Sequence, residues 1–170
     1  MPLFASSRRR LRISFIIAIS LIFSLVTVAQ LNLTYHLLNG YFLSSDAPVN
    51  KGKPTLFVFE QAETFGNVFK PATTMSKRPD AVNFTKEMAI GIALPPTNKP
   101  PKLSVSKVFV QDSVLTVRYI RIADTTLTNN PQSFTSQPIL LFAIPKQVVL
   151  KTKLVENGKV VQLLKKREEE

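Results

Sequence analysis

Hydroxyl, carboxylate and imidazole groups are the raw material for catalysis in this sequence, and their spacing assembles no catalytic device. The chain holds one histidine, His36, and no cysteine. A Ser–His pair would have to use His36, which stands just after a long apolar run, so that pair is set aside. With no second ligand near it in sequence, His36 reads as a neutral imidazole at a membrane interface rather than a metal ligand. Ser–Lys chemistry needs only abundant residue types, and no spacing here points to it. Glu60 and Glu63 are the closest paired carboxylates; they suit the start of a helix, where the dipole favours negative charge, better than an acid/base pair. Asp80, Glu87, Asp112 and Asp124 are scattered. None of the five glycines forms a G-x-G or G-K-[ST] phosphate loop, and no G-x-S-x-G elbow occurs. The lack of cysteine removes disulfide scaffolds, thiolate zinc sites, iron–sulfur clusters and thiol nucleophiles. The sequence therefore reads as a non-enzyme with no catalytic residue, no metal and no cofactor. Asn32-Leu33-Thr34 and Asn83-Phe84-Thr85 match the glycosylation pattern, which matters only in a glycosylating secretory pathway.

The N-terminus carries the clearest message. Arg8, Arg9, Arg10 and Arg12 precede an uncharged stretch from Ile13 to Leu33, of which Ile13–Ala29 is almost wholly apolar. As a helix, Ile13–Ala29 would span about 25 Å, slightly less than a hydrocarbon core of about 30 Å; residues 30–33 extend it without adding charge. Basic residues ahead of such a segment hold that end in the cytoplasm. The chain beyond it is then extracytoplasmic, or periplasmic. Two outcomes stand open: an uncleaved signal anchor, or a signal peptide cut after Ala29, with Thr27 and Ala29 as the small residues before the cut.

Those arginines also account for part of the charge. They are four of 22 basic side chains, which leaves 18 against 11 carboxylates in residues 31–170, a net +7. A basic exported domain can lean on anionic lipid or an acidic partner. Nucleic-acid binding is not expected, because Lys51, Lys53, Lys70, Lys77, Arg78, Lys99, Lys102 and Lys107 are scattered between apolar residues.

The elements that would position any site follow from periodicity. Residues 34–54 read as a juxtamembrane linker, with Tyr35 and Tyr41 at the membrane interface. Thr55–Glu60 reads as a strand. Phe65, Val68 and Phe69 share one helical face within residues 61–70, which Pro71 ends. Met88, Ile90, Ile92 and Leu94 alternate with Ala89, Gly91 and Ala93: a strand with one bulky face and one small face, the latter leaving room for a close neighbour such as the 61–70 helix. Leu103–Gln111 and Ser113–Ile122 form a hairpin, residues 123–132 a polar loop, and residues 133–144 a buried central strand. Asn157-Gly158 joins two further apolar runs, 148–155 and 159–164, as a tight hairpin. The expected fold class is α+β, mostly β: a small antiparallel sheet domain of six or seven strands with one short amphipathic helix, behind a transmembrane helix or signal segment. The expected boundaries are 1–12 cytoplasmic, 13–33 anchor or signal, 34–54 linker, 55–164 domain and 165–170 charged tail.

Loops on a rigid sheet carry recognition. The candidate contact loops are Pro95, Pro96, Thr97, Asn98 and Lys99 in the proline-rich stretch, and Asn129 and Asn130 in the polar loop.

Residues 83–122 (NFTKEMAIGIALPPTNKPPKLSVSKVFVQDSVLTVRYIRI) and the later QSFTSQPILLFAIPK complete the pattern. Asn83, Phe84, strand 88–94, hairpin 103–122, Thr135, Pro138 and Lys146 resemble the C-terminal domain of bacterial exported proteins named for the protease-complex subunit PrcB. Phe65 and Phe69 are also similar to the F-x-x-x-F segment of small envelope proteins. The resemblance covers about residues 55–147. It departs from the family at the Thr-Gly-Gly turn, where this chain has Pro-Pro-Thr-Asn-Lys-Pro-Pro. What it implies is a small β-rich domain that supports or regulates a partner, such as an envelope protease. The expectation is thus a membrane-tethered extracytoplasmic interaction module with an envelope protein partner; the alternatives are a periplasmic small-ligand or lipid-binding domain and, behind it, a hydrolase.

Overall fold

A computed structural model describes residues 30–72 and 78–166. The four arginines, the apolar run and its Ala29 cleavage position, and the last four residues of the tail lie outside the described residues. Among the described residues no helix is long and apolar enough to cross a membrane.

In chain order the elements are β1 (Leu31–Asn32), β2 (His36–Leu37), β3 (Tyr41–Leu43), β4 (Thr55–Phe59), α1 (Ala62–Val68), β5 (Phe69–Pro71), β6 (Glu87–Ala93), β7 (Lys102–Gln111), β8 (Val114–Ile122), α2 (Thr125–Asn129), β9 (Ile139–Pro145), β10 (Lys151–Glu156) and β11 (Lys159–Lys165). The mostly-β class with few helices is as the sequence indicates, and the longer strands are those its alternation marks. Three sheets result: β1-β7-β8-β10-β11, β2-β9-β6-β4, and the pair β3-β5.

The four-stranded sheet is buried on both faces, and alternation explains how. Leu56, Met88, Ile90, Ile92, Phe142 and Ile144 face one way and meet Val108, Leu115, Val117, Tyr119 and Leu154 of the five-stranded sheet. Phe57, Phe59, Ala89, Ala93, Leu141 and Ala143 face the other way, under Phe65 of α1, Phe69 and Leu38. The small face of β6 does take a close neighbour, but from β5 and not from a helix over 61–70: the helix ends at Val68, and Phe69, the first residue of β5, is fully buried with its ring over Gly91. Each large core side chain contributes about 1.5–3 kcal/mol by leaving water.

Two tight turns fix register. Asn157 and Gly158 both have positive φ, as a two-residue hairpin turn requires. Asp112 and Ser113 adopt the same conformation between β7 and β8.

Four further expectations are corrected. First, residues 31–43, read as anchor end and linker, are built into the domain. Asn32 pairs with Phe109, His36 with Ala143, and Phe42 with Lys70. Backbone groups beside an open sheet edge gain hydrogen bonds there, so residues 31–37 belong to the sheets. Tyr35 and Tyr41 are likewise used by the fold: the Tyr35 hydroxyl donates to the Val105 carbonyl at 3.2 Å and that of Tyr41 to the Asp80 carbonyl at 2.7 Å. Burial, then the nearby Asp80 charge, pushes the Tyr41 phenol above its ordinary value. Second, β8 and β10 are parallel neighbours, with Val117 opposite Leu154. The chain between them crosses to the other sheet as β9, the long connection that a parallel pair needs. Third, the polar loop 123–132 contains α2, capped by Asp124, whose carboxylate accepts from the Thr126 N–H. Fourth, the central strand starts at Ile139, and residues 133–138 approach it as a loop.

The edges of the two large sheets are joined on both sides. Residues 31–37 pass from β7 in one sheet to β9 in the other. On the far side the Leu56 N–H of β4 donates to Gln162 Oε1 of β11 at 2.7 Å. The sandwich is thereby closed on itself like a flattened barrel, which leaves little free strand edge.

Candidate functional site

The two loops singled out from sequence meet at one end of the sandwich. Pro95–Lys99 lies between β6 and β7, and Asn129 and Asn130 close α2 between β8 and β9. Thr97 and Ser136 exchange backbone hydrogen bonds of 2.8 and 2.9 Å, and the Gln132 N–H donates to the Asn98 carbonyl at 2.9 Å. The Thr97 hydroxyl accepts from the Lys99 N–H, which holds the turn. Lys102 and Asp124 approach to 3.5 Å beneath it. Two hydrogen bonds from Thr126 and the Lys102 charge hold the Asp124 carboxyl below the usual carboxylate range. Pro96, Asn98, Lys99, Asn129 and Asn130 are exposed, and Phe134 beside them is 61 % exposed. Phe134 was not a candidate from sequence: its position before an apolar run reads as the start of a strand.

A second feature is an open cleft of about 790 Å³ between the start of α1 and residues 81–87. Its charged side chains already have partners. Glu60 takes Lys166 at 2.8 Å. Glu87 lies 3.6 Å from His36 Nδ1 and accepts from the Asn83 N–H. The Lys146 ammonium donates to the Phe84 carbonyl. His36 thus has a carboxylate neighbour that the sequence did not reveal, 51 residues further along the chain. Glu63 sits in the first turn of α1 with Glu60 just ahead of it, the helix-start placement expected for that pair. Asn83 Oδ1 accepts from the backbone and hydroxyl of Thr85, so the sequon forms a closed local turn. Among the described residues no three His, Cys, Asp or Glu side chains are grouped as a metal site.

The third feature is the outer face of the five-stranded sheet. Register places Gln111, Val114, Lys151 and Lys165 in one row across it, Phe109, Thr116, Lys153 and Leu163 in the next, and Lys107, Arg118, Val155 and Val160 in a third. The charged ends of Lys107 and Arg118 each lie 5.4 Å from the centre of the Phe109 ring. They cover the ring, which is only 6 % exposed. A shallow groove of about 330 Å³ runs over this face. Sequence reasoning missed the cluster because its cations come from four strands; the alternating Lys151-Thr152-Lys153 was the one local signal.

Compared with known proteins, the chain matches no family model, no curated protein and no solved structure.

Proposed function

We propose that the chain is a membrane-tethered extracytoplasmic interaction module that recognises an envelope protein through the loop cluster around Asn98 and Asn130. The observation that carries this reading is the joining of those two loops. Segments more than 30 residues apart in sequence are cross-linked by the Thr97–Ser136 and Asn98–Gln132 hydrogen bonds. They stand on β6 and β9, the two central strands of the doubly buried sheet. A rigid base under exposed polar and aromatic loop residues is the usual construction of a recognition surface. The tether rests on the four arginines and the apolar run after them. The resemblance of residues 55–147 to the PrcB-named exported domains supports an accessory or regulatory role toward an envelope protease. A ligand pocket between the sheets is not favoured, because Met88, Ile90, Phe142 and Tyr119 fill that space.

The test compares two full-length, C-terminally tagged chains: wild type and a loop variant carrying Asn98→Asp, Lys99→Glu and Phe134→Ala. Both are cross-linked in cells, captured from solubilised membranes and analysed by mass spectrometry, with thermal unfolding as the control for folding. The expected result is an envelope protein captured by wild type and lost with the variant. Equal capture by both, or by neither, overturns the reading. The intact mass of the bait decides the tether: a chain starting near residue 1 retains it, and one starting at Gln30 has lost it.

A further inference from the structure

We propose that the outer face of the five-stranded sheet docks on the anionic lipid headgroups of the membrane that the N-terminal run enters. The inference rests on the tethered reading above and adds a second contact with the same membrane.

Three observations carry it. The first is charge. Lys107, Arg118, Lys151, Lys153 and Lys165 occupy adjacent rows of one sheet face. Strands lie about 4.8 Å apart, so these cations form a compact two-dimensional array. Alternation turns no carboxylate of β7, β8, β10 or β11 outward with them; Glu156, the one acidic residue in these strands, faces Tyr119 and Arg121 instead, and the one carboxylate lining the groove is Asp112 in the β7–β8 turn.

The second is apolar content. Ile120, Val160 and Leu163 are exposed on or beside the same face. A face that mixes cations with apolar side chains suits a headgroup layer, where both find partners. It suits nucleic acid poorly, because its one aromatic ring, Phe109, is covered by Lys107 and Arg118 and is closed to stacking.

The third is where the chain enters. β1 begins at Leu31, opposite Val110, near the β7–β8 turn. Leu31 stands two positions after Ala29, the end of the apolar run, a reach of about 7 Å. The three rows nearest this entry hold all five cations, and the contact loops lie at the other end of β7, about 30 Å along the strand.

The test uses the full chain in vesicles of phosphatidylcholine alone or with about 30 % phosphatidylglycerol. The vesicles are floated, and the lysines are then acylated under single-hit conditions and read by mass spectrometry. Near an anionic surface each basic residue strengthens binding roughly fivefold. Lys107, Lys151, Lys153 and Lys165 are therefore expected to be protected severalfold in the anionic vesicles only, while exposed Lys51 and Lys53 stay unchanged. The protection should vanish at about 1 M salt, and with the K151E/K153E variant. A chain that floats but shows the same labelling in both vesicles overturns this inference and leaves the tether standing. A chain that fails to float overturns the tether and this inference with it. Protection by soluble poly-glutamate in neutral vesicles, without protection in anionic ones, overturns it in favour of an acidic protein partner.

Discussion

The ring of Phe69 occupies the space that a side chain on residue 91 would need: a Cβ built on Gly91 would stand 2.6 Å from Phe69 Cε2 and 2.8 Å from Cζ. Phe69 is held there by Phe57 and Phe59 of β4, both at edge-to-face angles, and by Phe65 of α1. The ring cannot retreat without disturbing that cluster. Gly91→Ala is therefore expected to cost about 1–3 kcal/mol through overpacking. Phe69→Ala is expected to cost about 3–5 kcal/mol through the cavity it leaves. In urea titrations the pair Gly91→Ala with Phe69→Leu should be less destabilised than the sum of the singles, because the smaller side chain gives the new methyl room. Strict additivity would show that the two residues do not share this space.

Tyr119 gives an alkaline prediction. Its hydroxyl donates to Glu156, which also lies 3.7 Å from Arg121. Burial first, and then the hydrogen bond and charge of Glu156, push the phenol far above its ordinary value. The folded chain thus holds a proton that the unfolded chain releases near pH 10. Stability from this group is fully present below that pH and falls as pH rises above it, since the unfolded state then binds fewer protons. Tyr41 acts in the same direction. Tyr119→Phe should lose about 1–2 kcal/mol at neutral pH and show a shallower decline between neutral and alkaline pH. Urea unfolding at several pH values checks both, and equal slopes for the two chains would contradict the assignment.

At the acid end the relevant group is Asp124. Its carboxyl is held below the usual carboxylate range by Thr126 and Lys102, so the cap is intact above that range and is lost as pH falls through the lowered value. Its role is local, and so is the expected effect. Asp124→Ala should raise hydrogen-exchange rates of the Thr126, Thr128 and Asn130 amides in α2 and its cap while leaving β7 and β9 unchanged. Asp124→Asn, which keeps an acceptor oxygen, should restore much of the protection. Unaltered exchange in Asp124→Ala would remove the cap from the account.

What could be read from sequence was local. Asn157-Gly158 names its own turn, and the Ala89, Gly91 and Ala93 alternation announces a face made for close approach. Strand pairing is a different matter. Nothing in Val114–Ile122 or Lys151–Glu156 states that the two run parallel, because alternation is the same in either direction. β1, β2 and β3 are two or three residues long, too short for any period, and they follow an apolar run that claims them for the membrane. Tyr35 and Tyr41 bond to carbonyls 70 and 39 residues away, contacts that only the folded chain creates. The contact loops were legible as proline-rich and polar stretches, but their joining at Thr97 and Ser136 was not. The basic face was hidden for the same reason: register, which brings Lys151 beside Lys165 and Lys107 beside Arg118, is a property of pairs.

Register also explains how the Gln162 side chain closes the sandwich. β4 is an edge strand, and its Leu56 N–H points away from β6 toward the other sheet. β11 is the edge of that sheet, and the extra residue at Val161 in its pairing with β10 leaves Gln162 opposite Leu154, on the inward side. Its carboxamide oxygen reaches the Leu56 N–H, and nearby Lys166 reaches Glu60 at the end of β4. An exposed ion pair of that kind contributes little. The Gln162 bond matters more, because without it a part-buried N–H is left unpaired at a cost of about 1–3 kcal/mol. Gln162→Ala should therefore destabilise by that amount and specifically accelerate exchange of the Leu56 amide. Gln162→Glu keeps an acceptor at the same reach and should preserve the protection. Lys166→Ala should change stability by less than about 0.5 kcal/mol. If Lys166→Ala proved the more damaging of the two, closure would depend on charge and salt would weaken it; if Gln162→Ala does, closure is a neutral hydrogen bond and salt will leave it intact.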